Sequence, residues 1–216
     1  SEGRGLVVRG LHGEIWVNRS GHRFHDETRR GGASGTPALV AQDGATCWSI
    51  IDARIAAGMT VADPRYRSGD VPDRGAIDEL LECSPWITKA DDLETLGERA
   101  GIDGAALRAT VEQHNAGCGA ETADEFGRDV SQTQPLISPP FRALQFFPLA
   151  RKNLGGIRTD ASTRVIDERG STIDGLCAVG ELAGMAGGSI NGRAALEGTM
   201  FGPSLYSGLI AGRASG

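Results

Sequence analysis

Between residues 154 and 213 the chain is dense in glycine without being low in complexity. Two short β-type runs open the stretch, residues 156–159 and 164–166, and residues 168–171 read as the polar turn after them. Residues 176–180, Leu-Cys-Ala-Val-Gly, have the pattern of a short, fully apolar strand, and an acid, Glu181, stands at its carboxyl end. A glycine-rich loop spans 184–192, and Gly198-Thr199 opens a helix through residue 214, with Pro203 tolerated in its first turn. Strand, acid, glycine loop and helix start, in that order, are the layout of a ligand site. Ligands of open α/β sheets sit beyond the carboxyl ends of strands, glycine lets backbone approach them closely, and unpaired N–H groups at a helix start favour anionic charge. A glycine-rich turn before an ordinary core helix fits the same pattern, and the pattern alone leaves the two readings open.

Composition narrows the field. The chain has 216 residues, enough for one large domain or two small ones, and its 32 glycines describe a loop-rich protein built on small residues. A net charge of −6, with no basic cluster larger than the doublets Arg29-Arg30 and Arg151-Lys152, argues against non-specific nucleic-acid binding. No apolar run reaches membrane-spanning length, and the first residues lack a signal-peptide profile. Cys47, Cys83, Cys118 and Cys177 form no Cys-x-x-Cys pair, and His12, His22, His25 and His114 are not spaced as a metal set. The expectation is a cytoplasmic protein with reduced thiols and no metal.

Ahead of the glycine-rich stretch, residues 6–9 and 14–18 are β-rich, and Asn18-Arg19-Ser20-Gly21 reads as a hairpin turn before His22-Arg23-Phe24. Residues 31–37 look like a flexible connector. Residues 45–52 form a strand ending in Asp52, residues 53–58 a short helix, and residues 74–83 a helix with Ile77, Leu80 and Leu81 on one face. After a short strand at 86–90, Asp92 and Asp103 cap two helices, with Gly101 stopping the first and residues 115–117 ending the second. Residues 119–134 are polar and aperiodic, which predicts an exposed loop, and residues 141–149 read as a returning strand.

The wording of three segments resembles the fumarate reductase/succinate dehydrogenase-type FAD-binding flavoproteins, a family that includes flavocytochrome c fumarate reductases and 3-ketosteroid dehydrogenases. The late segment carries Leu154-Gly155-Gly156-Ile157 with Thr159-Asp160, then residues 175–181, Leu196-Glu197-Gly198-Thr199 and residues 207–212. The early segment is residues 13–27, ending in the acidic pair Asp26-Glu27, and the third is the helical pair at 91–117. The resemblance implies an α+β cap domain over residues 1–145, followed at 146–216 by the C-terminal segment of an α/β FAD-binding domain of the glutathione-reductase type. It implies FAD as cofactor and a substrate whose reacting C–C bond lies next to a carbonyl or carboxylate. Glu181 matches the family acid that accepts hydrogen bonds from the cofactor's hydroxyls, and Gly198, Thr199, Met200 and Phe201 match the helix start whose N–H groups face the flavin.

The sequence also departs from the family. The Gly-x-Gly-x-x-Gly turn that holds the FAD pyrophosphate occurs nowhere in it, so the resemblance covers only the later part of a full flavoprotein. A truncated chain, or a second chain supplying the rest, would account for this. FAD is then expected in the full-length enzyme and not retained by this chain alone, and self-association is expected. Three cation positions of the fumarate reductases are kept only approximately. Arg29 and Arg30 stand just short of the catalytic arginine's register, where Gly31 falls; Lys152 replaces a substrate histidine; Arg193 lies two positions before the late arginine's place, which Ala195 takes. These four are the candidate catalytic residues. The competing expectation is a non-catalytic fragment or subunit that binds a partner chain and lacks FAD.

Overall fold

The computed structural model describes residues 5–30, 34–148, 155–184 and 201–214. The chain divides into two units, Ser1–Pro148 and Leu149–Gly216, and every strand pairing among the described residues is antiparallel.

In the first unit, β1 (Val8–Arg9) pairs with the later β4 (Thr60–Val61). Strand β2 (Ile15–Val17) is followed by α1 (Gly35–Val40), β3 (Cys47–Ile51) and α2 (Ala53–Gly58). A small ribbon, β5 (Arg67–Ser68) with β6 (Val71–Pro72), precedes α3 (Arg74–Cys83). Then come β7 (Ile87–Ala90), α4 (Leu93–Ala100), α5 (Gly104–Gly117) and β8 (Phe141–Phe146). The main sheet runs β2-β3-β8-β7, with Ile15 opposite Ile50, Ile50 opposite Ala143, and Ala143 opposite Thr88.

Strand β3 is buried along its whole length because the sheet is covered on both faces. Side chains alternate along a strand, so Ile15, Val17, Trp48 and Ile50 enter the main core with Ile77, Leu96, Leu107 and Val111, whereas Trp16 and Cys47 join a second cluster with Leu39. Ser49 shares the face of Cys47, a placement that matters below.

The helices begin where an aspartate can accept an otherwise unpaired N–H. Asp52, Asp73, Asp92 and Asp103 cap α2, α3, α4 and α5 through Ile55, Ala76, Thr95 and Ala106. Gly101 ends α4 at a φ of 72°, which glycine adopts without a Cβ clash. The hairpin turn forms as its sequence predicts: Gly21 donates to the Asn18 carbonyl at 3.0 Å and has a φ of 79°. That turn docks on the first half of α5, where Thr110 Oγ1 donates to the Gly21 carbonyl at 2.7 Å.

Four expectations need correction. Residues 35–37 belong to α1 and not to a connector. Residues 119–134 lack regular structure, yet Arg128 and Val130 are buried, because an ionic partner awaits the arginine inside. In the second unit, the apolar strand expected at 176–180 is instead β10 (Thr172–Cys177), exposed throughout and paired with β9 (Arg164–Ile166). The Asp167 side chain accepts from Arg169 and Ser171, closing a tight turn that starts the returning strand early. The run 156–159 forms no strand; Thr159 makes an isolated β-bridge to Val165. A 3-10 turn at Gly180–Ala183 and α6 (Phe201–Ala214) complete the unit.

A glycine contact tests the α4–α5 packing. A Cβ on Gly97 would lie 2.5 Å from Gly104 Cα, while one on Gly117 would meet open space. Helix propensity favours alanine over glycine by about 1 kcal/mol, but backbone overlap of this kind costs about 1–3 kcal/mol. Gly97→Ala is therefore expected to lower stability in a urea melt and Gly117→Ala is not; equal effects would refute the close approach.

Candidate functional site

In the first unit a buried ionic network forms under the loop that follows the hairpin. Its centre is Glu27, whose side chain is only 1% exposed. Oε1 accepts from the Trp16 amide at 2.9 Å and Arg23 Nε at 2.8 Å; Oε2 accepts from Arg23 Nη2 at 2.8 Å and Arg128 Nη1 at 2.9 Å. Arg23 also pairs with Asp124 at 2.8 Å and lies over the Phe126 ring. Burial pulls the Arg23 guanidinium down, but its bonds to Glu27 and then Asp124 outweigh that and hold it above its ordinary value. Burial works to raise Asp124, yet the Arg128 amide and the Arg23 charge leave it below the usual carboxylate range.

A second buried acid, Glu14, extends the network. It stands at the entry to β2, where the chain turns back on itself with the Glu14 amide donating to the Leu11 carbonyl. Arg30 Nη2 donates to its Oε1, Ser49 Oγ donates to its Oε2, and Arg128 Nη1 donates to its carbonyl oxygen at 2.8 Å. Leu11, His12, Glu14, Glu27, Thr28 and Arg128 line a cavity of about 220 Å³ beside these groups.

The loop itself is built by Asp26. Its Oδ1 accepts from the Thr28 amide and hydroxyl at 3.0 and 2.6 Å, and its carbonyl from the Arg29 amide. The Arg29 carbonyl lies 3.0 Å from His25 Nε2, so Arg29 has an anchored backbone and an exposed side chain. Among the described residues no ion pair holds that side chain. Arg30, by contrast, turns inward to Glu14 and also donates from Nε to the Glu27 carbonyl at 3.3 Å.

In the second unit Glu181 sits in the 3-10 turn directly after β10 and the short link 178–179. Gly180 has a φ of 62°, and its amide donates to Ser207 Oγ of α6 at 2.9 Å, so the helix pins the turn. On the other side, Ile157 N donates to the Leu182 carbonyl at 2.8 Å, and a Cβ on Gly156 would lie 2.1 Å from Gly184 N. Only glycine at 156 admits this approach. Phe201 is the first residue of α6 and is exposed. Lys152, Arg193, Gly198, Thr199 and Met200 lie outside the described residues.

The sequence reading missed Glu14, Arg23, Asp124 and Arg128. Glu14 had a signal, an acid run directly into Ile15-Trp16-Val17, a place where a carboxylate needs a partner. Arg128 had none, since its partners are 101 and 114 residues away in sequence.

A family model described as FAD binding domain matches residues 2–200, and the chain belongs to that family. A KsdD-like steroid dehydrogenase of Mycobacterium tuberculosis is 45% identical over 93 residues, 42% of this chain and 16% of that protein. A probable fumarate reductase of Shewanella frigidimarina is 29% identical over 207 residues, 95% of this chain and 31% of that protein. The fold is similar to that of a 3-ketosteroid Δ1-dehydrogenase from Sterolibacterium denitrificans, with a TM-score of 0.68 at 24% identity over 95% of this chain and 39% of that one. It is also similar to the open conformation of a flavocytochrome c3 fumarate reductase, with a TM-score of 0.65 at 24% identity over 94% of this chain and 32% of that one. The chain thus spans well under half the length of each of these proteins. No helix among the described residues is long and apolar enough to cross a membrane.

Two outcomes are expected of the network. Arg128→Met leaves Glu27 short of a buried counter-charge and is expected to destabilise the protein by about 3 kcal/mol or more. Loss of the exposed Arg108, paired with Glu94 and Glu112, should barely move the urea midpoint. The second outcome concerns His114 on α5. Burial, helped by the Arg23 and Arg128 charges, lowers it to about 4 against opposing pulls from Glu27 and Asp124. A depressed folded-state value means that the unfolded chain binds the proton first. Stability from this group is full above about pH 6.5 and is lost as pH falls towards 4, by on the order of 2 kcal/mol. Urea melts at pH 7 and 4.5 should show a smaller loss for His114→Gln than for the wild type; identical losses would remove His114 from the account.

Proposed function

We propose that this chain is part of an FAD-dependent oxidoreductase that reduces or dehydrogenates a C–C bond next to a carbonyl or carboxylate. Residues 1–145 serve as the substrate-side cap and residues 146–216 as the C-terminal part of the FAD-binding domain. The observation that carries the reading is the Glu181 turn, an acid held between Gly156 and α6 in a chain of the FAD binding domain family. The names of its relatives, a steroid dehydrogenase and a fumarate reductase, support the substrate class.

The residues present fit the cofactor in part. Glu181 is exposed at a turn whose backbone is fixed on both sides, as a carboxylate must be to accept from sugar-like hydroxyls. By the family resemblance, Gly198, Thr199, Met200 and Phe201 would supply N–H groups for the negative charge of the reduced flavin, a contribution of about 0.3–2 kcal/mol where such donors sit at a helix start. No Gly-x-Gly-x-x-Gly turn is present for the pyrophosphate. When bound, FAD supplies the hydride donor or acceptor. The chain's own part is to bind and orient the substrate. Arg29, Arg30, Lys152 and Arg193 are the candidate cations for its carbonyl or carboxylate, and a guanidinium can grip a carboxylate with two parallel bonds.

A second reading rests on α6. Phe201, Leu205, Tyr206 and Leu209 are exposed along it, and apolar surface of this kind marks a contact with further protein. It would accommodate a pyrophosphate-binding portion, a partner chain or a second copy of this chain.

The full-length protein decides between them. Flavin absorbance that follows it through gel filtration at one equivalent is expected, with occupancy reduced in Glu181→Ala. In the loaded enzyme Arg193→Lys should lower turnover by about tenfold or more, a loss of about 1.4 kcal/mol of transition-state contact, with FAD content unchanged. A colourless full-length protein would refute the oxidoreductase reading. If Arg193→Lys lowers the melting temperature without touching turnover, Arg193 has a structural role and not a catalytic one.

A further inference from the structure

We infer that Glu14 is a positioning residue that sequesters Arg30, so that Arg29 is the guanidinium this loop presents to a carbonyl- or carboxylate-bearing substrate. The inference rests on the oxidoreductase reading above and divides labour between two adjacent arginines that the sequence cannot tell apart.

Glu14 is fully committed. One carboxylate oxygen takes Arg30 Nη2 and the other takes Ser49 Oγ, from the middle of the buried strand β3. Its side chain is 2% exposed and that of Arg30 is 40% exposed, so the guanidinium keeps an edge in solvent while Nη2 is held inside. A carboxylate buried this deeply is stable only with an opposite charge and filled lone pairs, and Arg30 is the cation paired with it. Arg30 is held a second time through Nε on the Glu27 carbonyl. Burial, and then the neighbouring Arg128 charge, hold the Arg30 guanidinium below its ordinary value. Swinging Arg30 towards a ligand would strip Glu14 of its counter-ion, a substantial cost.

Arg29 has the opposite arrangement. Its amide and carbonyl are fixed by Asp26 and His25, while its side chain is exposed and unpaired among the described residues. A cation with a fixed base and a free head can meet an anion without breaking any bond. Glu14 thereby sets the charge the loop offers at one, and removing it would make that charge two.

Arginine-selective labelling of the full-length protein with p-hydroxyphenylglyoxal tests this directly. The reagent closes a ring over both terminal guanidinium nitrogens, and Glu14 holds one of those in Arg30. Labelling is followed by non-tryptic digestion and mass spectrometry. In the wild type Arg29 is expected to react at least about tenfold faster than Arg30; equal rates, or a faster Arg30, overturn the inference. In Glu14→Gln the Arg30 rate is expected to rise to within about threefold of Arg29, and a persistent tenfold gap also overturns it. Should Glu14→Gln fail to fold, Glu14→Asp keeps the charge while drawing the carboxylate back from Arg30 Nη2. Arg30 labelling should then rise at least about twofold, and an unchanged rate counts against sequestration. Fumarate is the probe for the underlying reading. It should slow labelling of Arg29 alone in the wild type, and of both arginines in Glu14→Gln. If neither fumarate nor crotonate slows Arg29 while the contrast between the two arginines holds, the substrate reading fails and sequestration stands. If the contrast is absent, sequestration fails whatever the ligands do.

Discussion

The first unit depends on the saturation of one buried carboxylate. Glu27 accepts four hydrogen bonds, from the Trp16 amide, two nitrogens of Arg23 and Nη1 of Arg128. Each donor residue comes from a different part of the unit: the edge strand β2, the arm of the hairpin, and the long loop before β8. An acid in this position fixes where three segments meet, because leaving any of its lone pairs dry and empty is costly. Apolar packing is less demanding about direction, and the two apolar clusters on either face of the sheet would tolerate small slips that the carboxylate does not.

Such networks add little net stability, since desolvation consumes most of the Coulomb attraction. Their effect here is positional. Glu27 and Asp26 are consecutive, so the residue that knits the interior adjoins the one that starts the turn carrying Arg29 outward. The rigidity of the interior is thus passed to a surface loop through one peptide bond. In the second unit the corresponding constraint is steric: Gly156 lets two backbone segments touch, and α6 fixes the far side of the turn through Ser207.

Much of the framework was legible in the sequence because its signals are local. Asp92, Asp103 and Gly101 mark helix ends through bonds made within a few residues, and the 18–21 turn closes on itself. The strand at 176–180 was misplaced because apolarity was read as burial, whereas a turn at Asp167 decides where β10 starts. The 119–134 loop was misread for a related reason: polarity was taken for exposure, and a charged residue with a partner inside is as buried as a leucine. Of the candidate site, Glu181 is marked by its place after an apolar run, and Arg29 and Arg30 by the family resemblance alone. What separates Arg29 from Arg30 depends on Glu14 and Ser49, one 16 residues from Arg30 and the other 35 from Glu14.

The distance between Glu27 and Arg128 also sets an order of events during synthesis. The two residues are 101 positions apart, and at roughly 5–20 residues per second the arginine is made on the order of 5–20 s after the glutamate. Through that interval the hairpin, β3 and the capped helices can form from local contacts, but the carboxylate beneath them lacks one of its cations. The carboxylate therefore stays open to water until the loop with Arg128 arrives, and the four-stranded sheet closes only after that, when β8 takes its place between β3 and β7.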